Sequence, residues 1–158
     1  MRTQEESMLT INEYRKVESL EEAYELNQKK NNKIIAGGVW MKIGDRRIAT
    51  AIDLSGLGLD QITETDTEFV IGAMTTLREI EKHAGLAAYT DGAIRESVRH
   101  IVGVQFRNCA TVGGSIFGRF GFSDVLTVFL AMDTQVELYH AGMVSLKEFI
   151  DMPYDNDI

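Results

Sequence analysis

Two pairs of adjacent glycines, Gly37-Gly38 and Gly113-Gly114, are the residues whose type and spacing point most directly to chemistry. Glycine tolerates backbone dihedrals that a Cβ forbids, and successive amides in such a turn converge into a concave, positively polarised nest for an anion. A short apolar stretch leads into each pair. Two nests together suit a diphosphate, whose charge must be met at more than one oxygen, and Thr111 and Ser115 offer hydroxyl donors beside the second pair. Glycine pairs are also ordinary turn residues, and with 14 glycines spread through the chain the spacing alone favours plain turns. Neither pair matches the dinucleotide fingerprint or the phosphate loop of nucleotide hydrolases, which sets those two classes aside.

The other reactive side chains carry less. Cys109 is the only cysteine, so no intrachain disulfide and no cysteine-rich metal cluster is available; it reads as a small packed residue beside the loop. His83, His100 and His140 share no ligand spacing. Glu79, Glu81 and Glu148 read as solvated faces of amphipathic helices. Acidic residues outnumber basic ones by 24 to 16, a net charge of -8, and the lysine and arginine clusters at 29–33 and 42–47 are offset by it. That balance argues against a nucleic-acid partner, while leaving room for a cofactor whose phosphates are held locally by backbone amides. The start, MRTQEESMLT, is polar and unlike a signal peptide, and no apolar run reaches the length of a membrane span. A cytoplasmic location is the expectation.

The elements that must position the glycine pairs are short. Residues 1–12 read as an arm or edge strand. Ser19 with Glu22, Thr76 with Glu79 and Ser145 with Glu148 have capping-box spacing and open three helices. Strands are expected at 33–36, 48–54, 69–73 and 135–139, a long helix at about 86–100, and another from Ser123-Asp124. Pro153, the only proline, stops the last helix. The sum is α+β, without the regular alternation of a barrel or a doubly wound sheet.

The segments AGGVWMKIG (36–44), IGAMTTLREIEKH (71–83), FRNCATVGGSI (106–116) and SDVLTVFLAMDTQVELY (123–139) resemble the FAD-binding subunit of the molybdenum hydroxylases, the group of xanthine and carbon monoxide dehydrogenases. The order and spacing of these segments cover nearly the whole chain, and the RNxATxGGxI pattern followed by Ser-Asp is the most specific element.

The resemblance implies a two-lobed FAD-binding fold of the vanillyl-alcohol oxidase (PCMH) type, with lobes at 1–55 and 56–158 and FAD extended between them. Its pyrophosphate would cross both glycine loops: Ala36, Gly37, Gly38, Val39 and Trp40 in the first, and Thr111, Val112, Gly113, Gly114 and Ser115 in the second. Asp124 matches a family aspartate that touches the sugar, and Asn108 matches the asparagine that shapes the approach to the second loop. The implied role is electron transfer between iron–sulfur clusters and an acceptor such as NAD, beside an iron–sulfur subunit and a molybdopterin-binding subunit, with no catalytic proton-transfer residue required. A flavin-free scaffold of the same fold is the alternative. Family subunits carry a further C-terminal domain, so this chain reads as a short form or a truncated product with an apolar surface left to self-association or a partner. Two positions depart from the pattern. Val39-Trp40 stands where polar residues are usual, and Arg119-Phe120-Gly121-Phe122 where Ala-x-Pro is common. Trp40 suits packing ahead of ligation, and Arg119 either neutralises a phosphate or is an ordinary solvated charge.

Overall fold

The computed structural model describes residues 8–154. The chain begins with strand β1 (Thr10–Lys16), helix α1 (Leu20–Asn27), β2 (Lys33–Ile35) and β3 (Arg47–Asp53). They form a parallel sheet of order β1-β3-β2, with Ile11 opposite Ile48 and Ile34 opposite Ile52. The expected edge strand is therefore real for residues 10–12 and runs on to Lys16; residues 1–7 lie outside the described part. Every residue of β1 is exposed, and Glu13, Arg15 and Lys16 discourage pairing along its open edge. Ser19 caps α1 by accepting the Glu22 amide, but Glu22 turns its carboxylate to the Glu18 amide and to Arg15, so the capping box is only half made. The buried Asn32 closes the helix by donating to the Leu26 carbonyl. Val17, Ala23, Ile52 and Leu54 form a small core on this sheet, joined by Leu57, Leu59 and Met74 from beyond it.

The remainder is built on two antiparallel hairpins, β4 (Ile62–Glu64) with β5 (Phe69–Ile71) and β6 (Gln135–Leu138) with β7 (Gly142–Ser145). Between and after them run α2 (Leu77–Lys82), α3 (Ala84–Tyr89), α4 (Ala93–Arg99), α5 (Val104–Arg107), α6 (Val112–Phe117), α7 (Asp124–Leu130) and α8 (Leu146–Asp151). Both Thr76–Glu79 and Ser145–Glu148 are complete capping boxes. A large core gathers Leu77, Ile80, Ile94, Val98, Val125 and Leu146 with both hairpins against it. The single helix expected over 86–100 is two. Asp91 (φ 50°) and Gly92 (φ 83°) leave the right-handed region, and the Gly92 amide donates back to Ala87 at 2.8 Å, a six-to-one closure of the preceding helix. Among the described residues no helix is long and apolar enough to cross a membrane.

Candidate functional site

The two glycine loops meet although they are far apart in sequence. A methyl group on Gly37 would fall 1.8 Å from the Cys109 carbonyl oxygen, and one on Gly114 would lie 3.9 Å from the Ala36 Cβ. Gly37 is thus required by the close approach of the other loop, whereas Gly38 is required by its own backbone at φ 65°, with open space around it. Val39 is half-buried against the large core although its loop leaves the small sheet, so the first loop is anchored to both cores.

The first loop has the open amides that an anion cradle needs. Among the described residues, the N–H groups of Gly37, Gly38, Val39 and Trp40 donate to no protein acceptor. Chain reversal at Gly38 is completed by the Lys42 amide donating to the Gly38 carbonyl at 3.1 Å, starting a short 3-10 turn at Met41–Ile43.

The second pair differs from expectation. Gly113 and Gly114 are not a free turn but the first turn of α6, and its amides are already engaged. Val112 donates to the Thr75 carbonyl (2.9 Å), Gly113 to Ala73 (2.9 Å), Gly114 to the Thr111 hydroxyl (3.1 Å) and Ser115 to the Thr111 carbonyl (3.0 Å). The buried N-cap Thr111 overrides the poor helix propensity of glycine, and Val112 and Ile116 fix the helix by burial. The Ser115 hydroxyl donates to the Thr111 carbonyl at 2.8 Å, while the Thr111 hydroxyl, here an acceptor, keeps its own proton to give. A methyl on Gly113 would meet the Ala73 oxygen at 2.6 Å, so this pair supplies a close, smooth wall and not a second nest.

The segment that straps this wall down reads in the sequence as a helix start and a family motif, but not for its contact with the second glycine pair. Thr75 is fully buried, the Leu77 amide donates to Ala110 at 2.9 Å, and Thr76 bridges to Thr111. Arg107 within the FRN motif is a second strap. It is buried, with Nε 2.8 Å from the Glu81 carboxylate, which also meets Arg78 at 2.7 Å. Burial pushes the Glu81 carboxyl up, but the two guanidinium groups outweigh it and hold the group below its ordinary range. Glu81 is therefore buried structure, not the solvated face that helical spacing suggested.

Asn108 ends α5, is exposed, and lines an open cleft of about 680 Å³ with Asp60, Gln61, Thr76 and Lys82. That cleft includes no residue of the first loop. Cys109 is exposed and not packed away; its carbonyl, not its thiol, makes the contact with Gly37. Asp124 is exposed at the first turn of α7, behind the Ser123 cap. Arg119 is half-buried and is not a freely solvated charge. Its guanidinium donates to the Met152 carbonyl and lies 4.2 Å from the Phe149 ring centre and 4.5 Å from that of Tyr154. Trp40 is 53% exposed and packs on Phe120 and Phe122, two residues that sequence reasoning did not connect to it.

A family model described as the FAD binding domain in molybdopterin dehydrogenase matches residues 8–158. The chain is 28% identical over 153 residues to the uncharacterized protein YgfM of Escherichia coli (strain K12), covering 92% of this chain and 56% of that protein. Its fold superposes on carbon monoxide dehydrogenase from Hydrogenophaga pseudoflava, a form that lacks the Mo-pyranopterin moiety of the molybdenum cofactor, with a TM-score of 0.82 at 25% identity, over 92% of this chain and 56% of that one. Reconstituted CO dehydrogenase from Oligotropha carboxidovorans matches with a TM-score of 0.76 at 26% identity, over 87% of this chain and 51% of that one. The chain spans about half the length of the curated relatives it matches.

Proposed function

The chain belongs to the family of FAD-binding domains in molybdopterin dehydrogenase, and on that premise we propose that it binds FAD and serves as an electron-transfer part of a molybdenum-hydroxylase-type oxidoreductase. The observation that carries the reading is the run of undonated amides from Gly37 to Trp40, in a loop that closely approaches the second glycine-bearing segment. Those amides would hold the diphosphate, the remaining Thr111 proton would add one donor, and the exposed Asp124 carboxylate would accept from the sugar hydroxyls. Val112, Gly113, Gly114 and Ser115 would form the wall, and Asn108 the approach to it. When bound, the flavin supplies the redox chemistry and the protein supplies position and electrostatics. The lobes are taken to divide near residue 55, with the cofactor across the junction where Val39 and Gly37 already join the two cores.

Electron delivery from an iron–sulfur subunit, itself fed by a molybdopterin-binding subunit, and onward transfer to an acceptor such as NAD complete the proposal. The engaged amides of α6 favour a second reading, a scaffold of the same fold that holds partners without flavin. Equilibrium dialysis of the purified chain against FAD separates the two. Saturable, one-to-one binding with a shifted flavin absorption spectrum is expected, weakened by Gly38→Ala, which strains the cradle at positive φ. A chain that binds no FAD yet captures an iron–sulfur subunit would be the scaffold.

A further inference from the structure

We propose that Trp40, Phe120 and Phe122 form a stacking platform for the adenine ring of the dinucleotide. The proposal rests on the reading of the first loop as a diphosphate cradle. Trp40 ends the run of open amides, so a ligand whose phosphates sit on that run has the indole beside it. The Trp40 ring centre is 5.7 Å from that of Phe120 and 5.8 Å from that of Phe122, and the two phenyl rings stack at 5.2 Å with 14° between their planes. Phe120 is held by close approach to the chain, since a methyl on Gly118 would meet its ring at 2.7 Å.

These rings nevertheless remain 53%, 40% and 68% exposed, and none belongs to either core. Three converging aromatic faces left to water are unusual on a soluble surface, and flat heterocycles are what such faces stack well. Asp124, two residues beyond Phe122, adds an exposed carboxylate without a protein partner among the described residues, an acceptor for ribose hydroxyls. Anion cradle, hydroxyl acceptor and ring platform together supply the contacts that an adenosine diphosphate moiety needs. A mononucleotide flavin has one phosphate and no purine, so with adenine on the platform the dinucleotide gains contacts that the mononucleotide lacks.

Trp40 is the only tryptophan, so its fluorescence reports on the platform alone. The test is titration of the full chain with ADP, FAD and FMN, for the native sequence and for Phe122→Ala, Phe122→Leu and Phe122→Tyr. Saturable quenching by ADP that FAD displaces is expected, with FMN bound far more weakly than FAD. Loss of the ring in the Ala and Leu variants should weaken ADP and FAD by about tenfold, leave FMN unchanged, and be restored in the Tyr variant. Phe122 lies outside both cores, so matched urea midpoints should show that the variants remain folded. Equal FAD affinity in all four chains would overturn the platform and leave FAD binding standing. No binding of FAD or ADP by dialysis would overturn both. A dimer that dissociates in Phe122→Ala, with ADP affinity unchanged, would assign the rings to a second copy instead.

Discussion

At the scale of single residues, the four glycines of the two pairs differ in what their places demand. Gly37 and Gly113 leave room for a neighbouring backbone, Gly38 holds a left-handed φ, and at Gly114 an added methyl would stand 3.0 Å from the Thr111 hydroxyl and 3.9 Å from the Ala36 Cβ. Substitution should sort them. Gly37→Ala has to push the Cys109 carbonyl away and is expected to cost about 2 kcal/mol by overpacking. Gly114→Ala gains helix propensity and strains the cap, so its stability should stay within about 1 kcal/mol of the native chain. Its methyl faces Ala36 across the cradle, so FAD affinity should fall all the same. Urea midpoints and FAD dissociation constants for both variants check this, and equal midpoints would show that the loops do not press on one another. Glu81 gives a pH-dependent counterpart. Its carboxyl is held low by Arg107 and Arg78 against the upward push of burial, so its contribution is complete above the unfolded value of about 4.3 and is lost as pH falls through the lower folded value. Unfolding free energy should decline on acidification below about pH 4, and less steeply in Glu81→Gln, since Glu22, Asp53 and Glu148 are also held low and remain. Urea unfolding from pH 7 to pH 3 makes the comparison; parallel curves would remove the buried pair as a source.

At the scale of elements, what could be read depended on whether the signal was local. Ser19, Thr76, Ser123 and Ser145 all cap where their side chains predicted, because a cap is decided within four residues. The break between α3 and α4 was hidden because Leu86, Ile94 and Val98 keep nearly helical spacing across it, and all three are buried in the same core. Tertiary packing preserved the apolar stripe while Gly92 turned the chain. Gly92→Ala is therefore expected to destabilise by about 1 kcal/mol through its positive φ alone, since nothing lies within 4 Å of the added methyl. A thermal midpoint that rises in this variant would mean that 84–99 prefers one straight helix. The opposite error occurred at Gly113-Gly114, where two poor helix formers became a helix because Thr111 caps them while Thr75 and Ala73 accept the Val112 and Gly113 amides, partners that a linear reading cannot see.

At the scale of the whole molecule, the mixed α and β architecture and the family were legible, because motif order survives where individual contacts do not. That the first glycine pair would leave amides open was legible too. The partners of Trp40, the inward turn of Arg119 and the consumed amides of α6 were not, since each depends on a residue brought from elsewhere in the chain. The meeting of Gly37 with Cys109 is another such long-range event. It joins positions about 70 residues apart, and closing so long a loop is entropically uphill until both cores exist. The cradle should then be among the last parts to form as the chain folds, and a ligand that binds only the finished cradle cannot hasten its formation. Saturating FAD should leave the refolding rate unchanged and slow unfolding in proportion to the stability it adds. Stopped-flow circular dichroism in both directions measures the two rates. Faster refolding with FAD would place the meeting of the loops before the folding barrier, making the cofactor a template for the fold and not a late tenant.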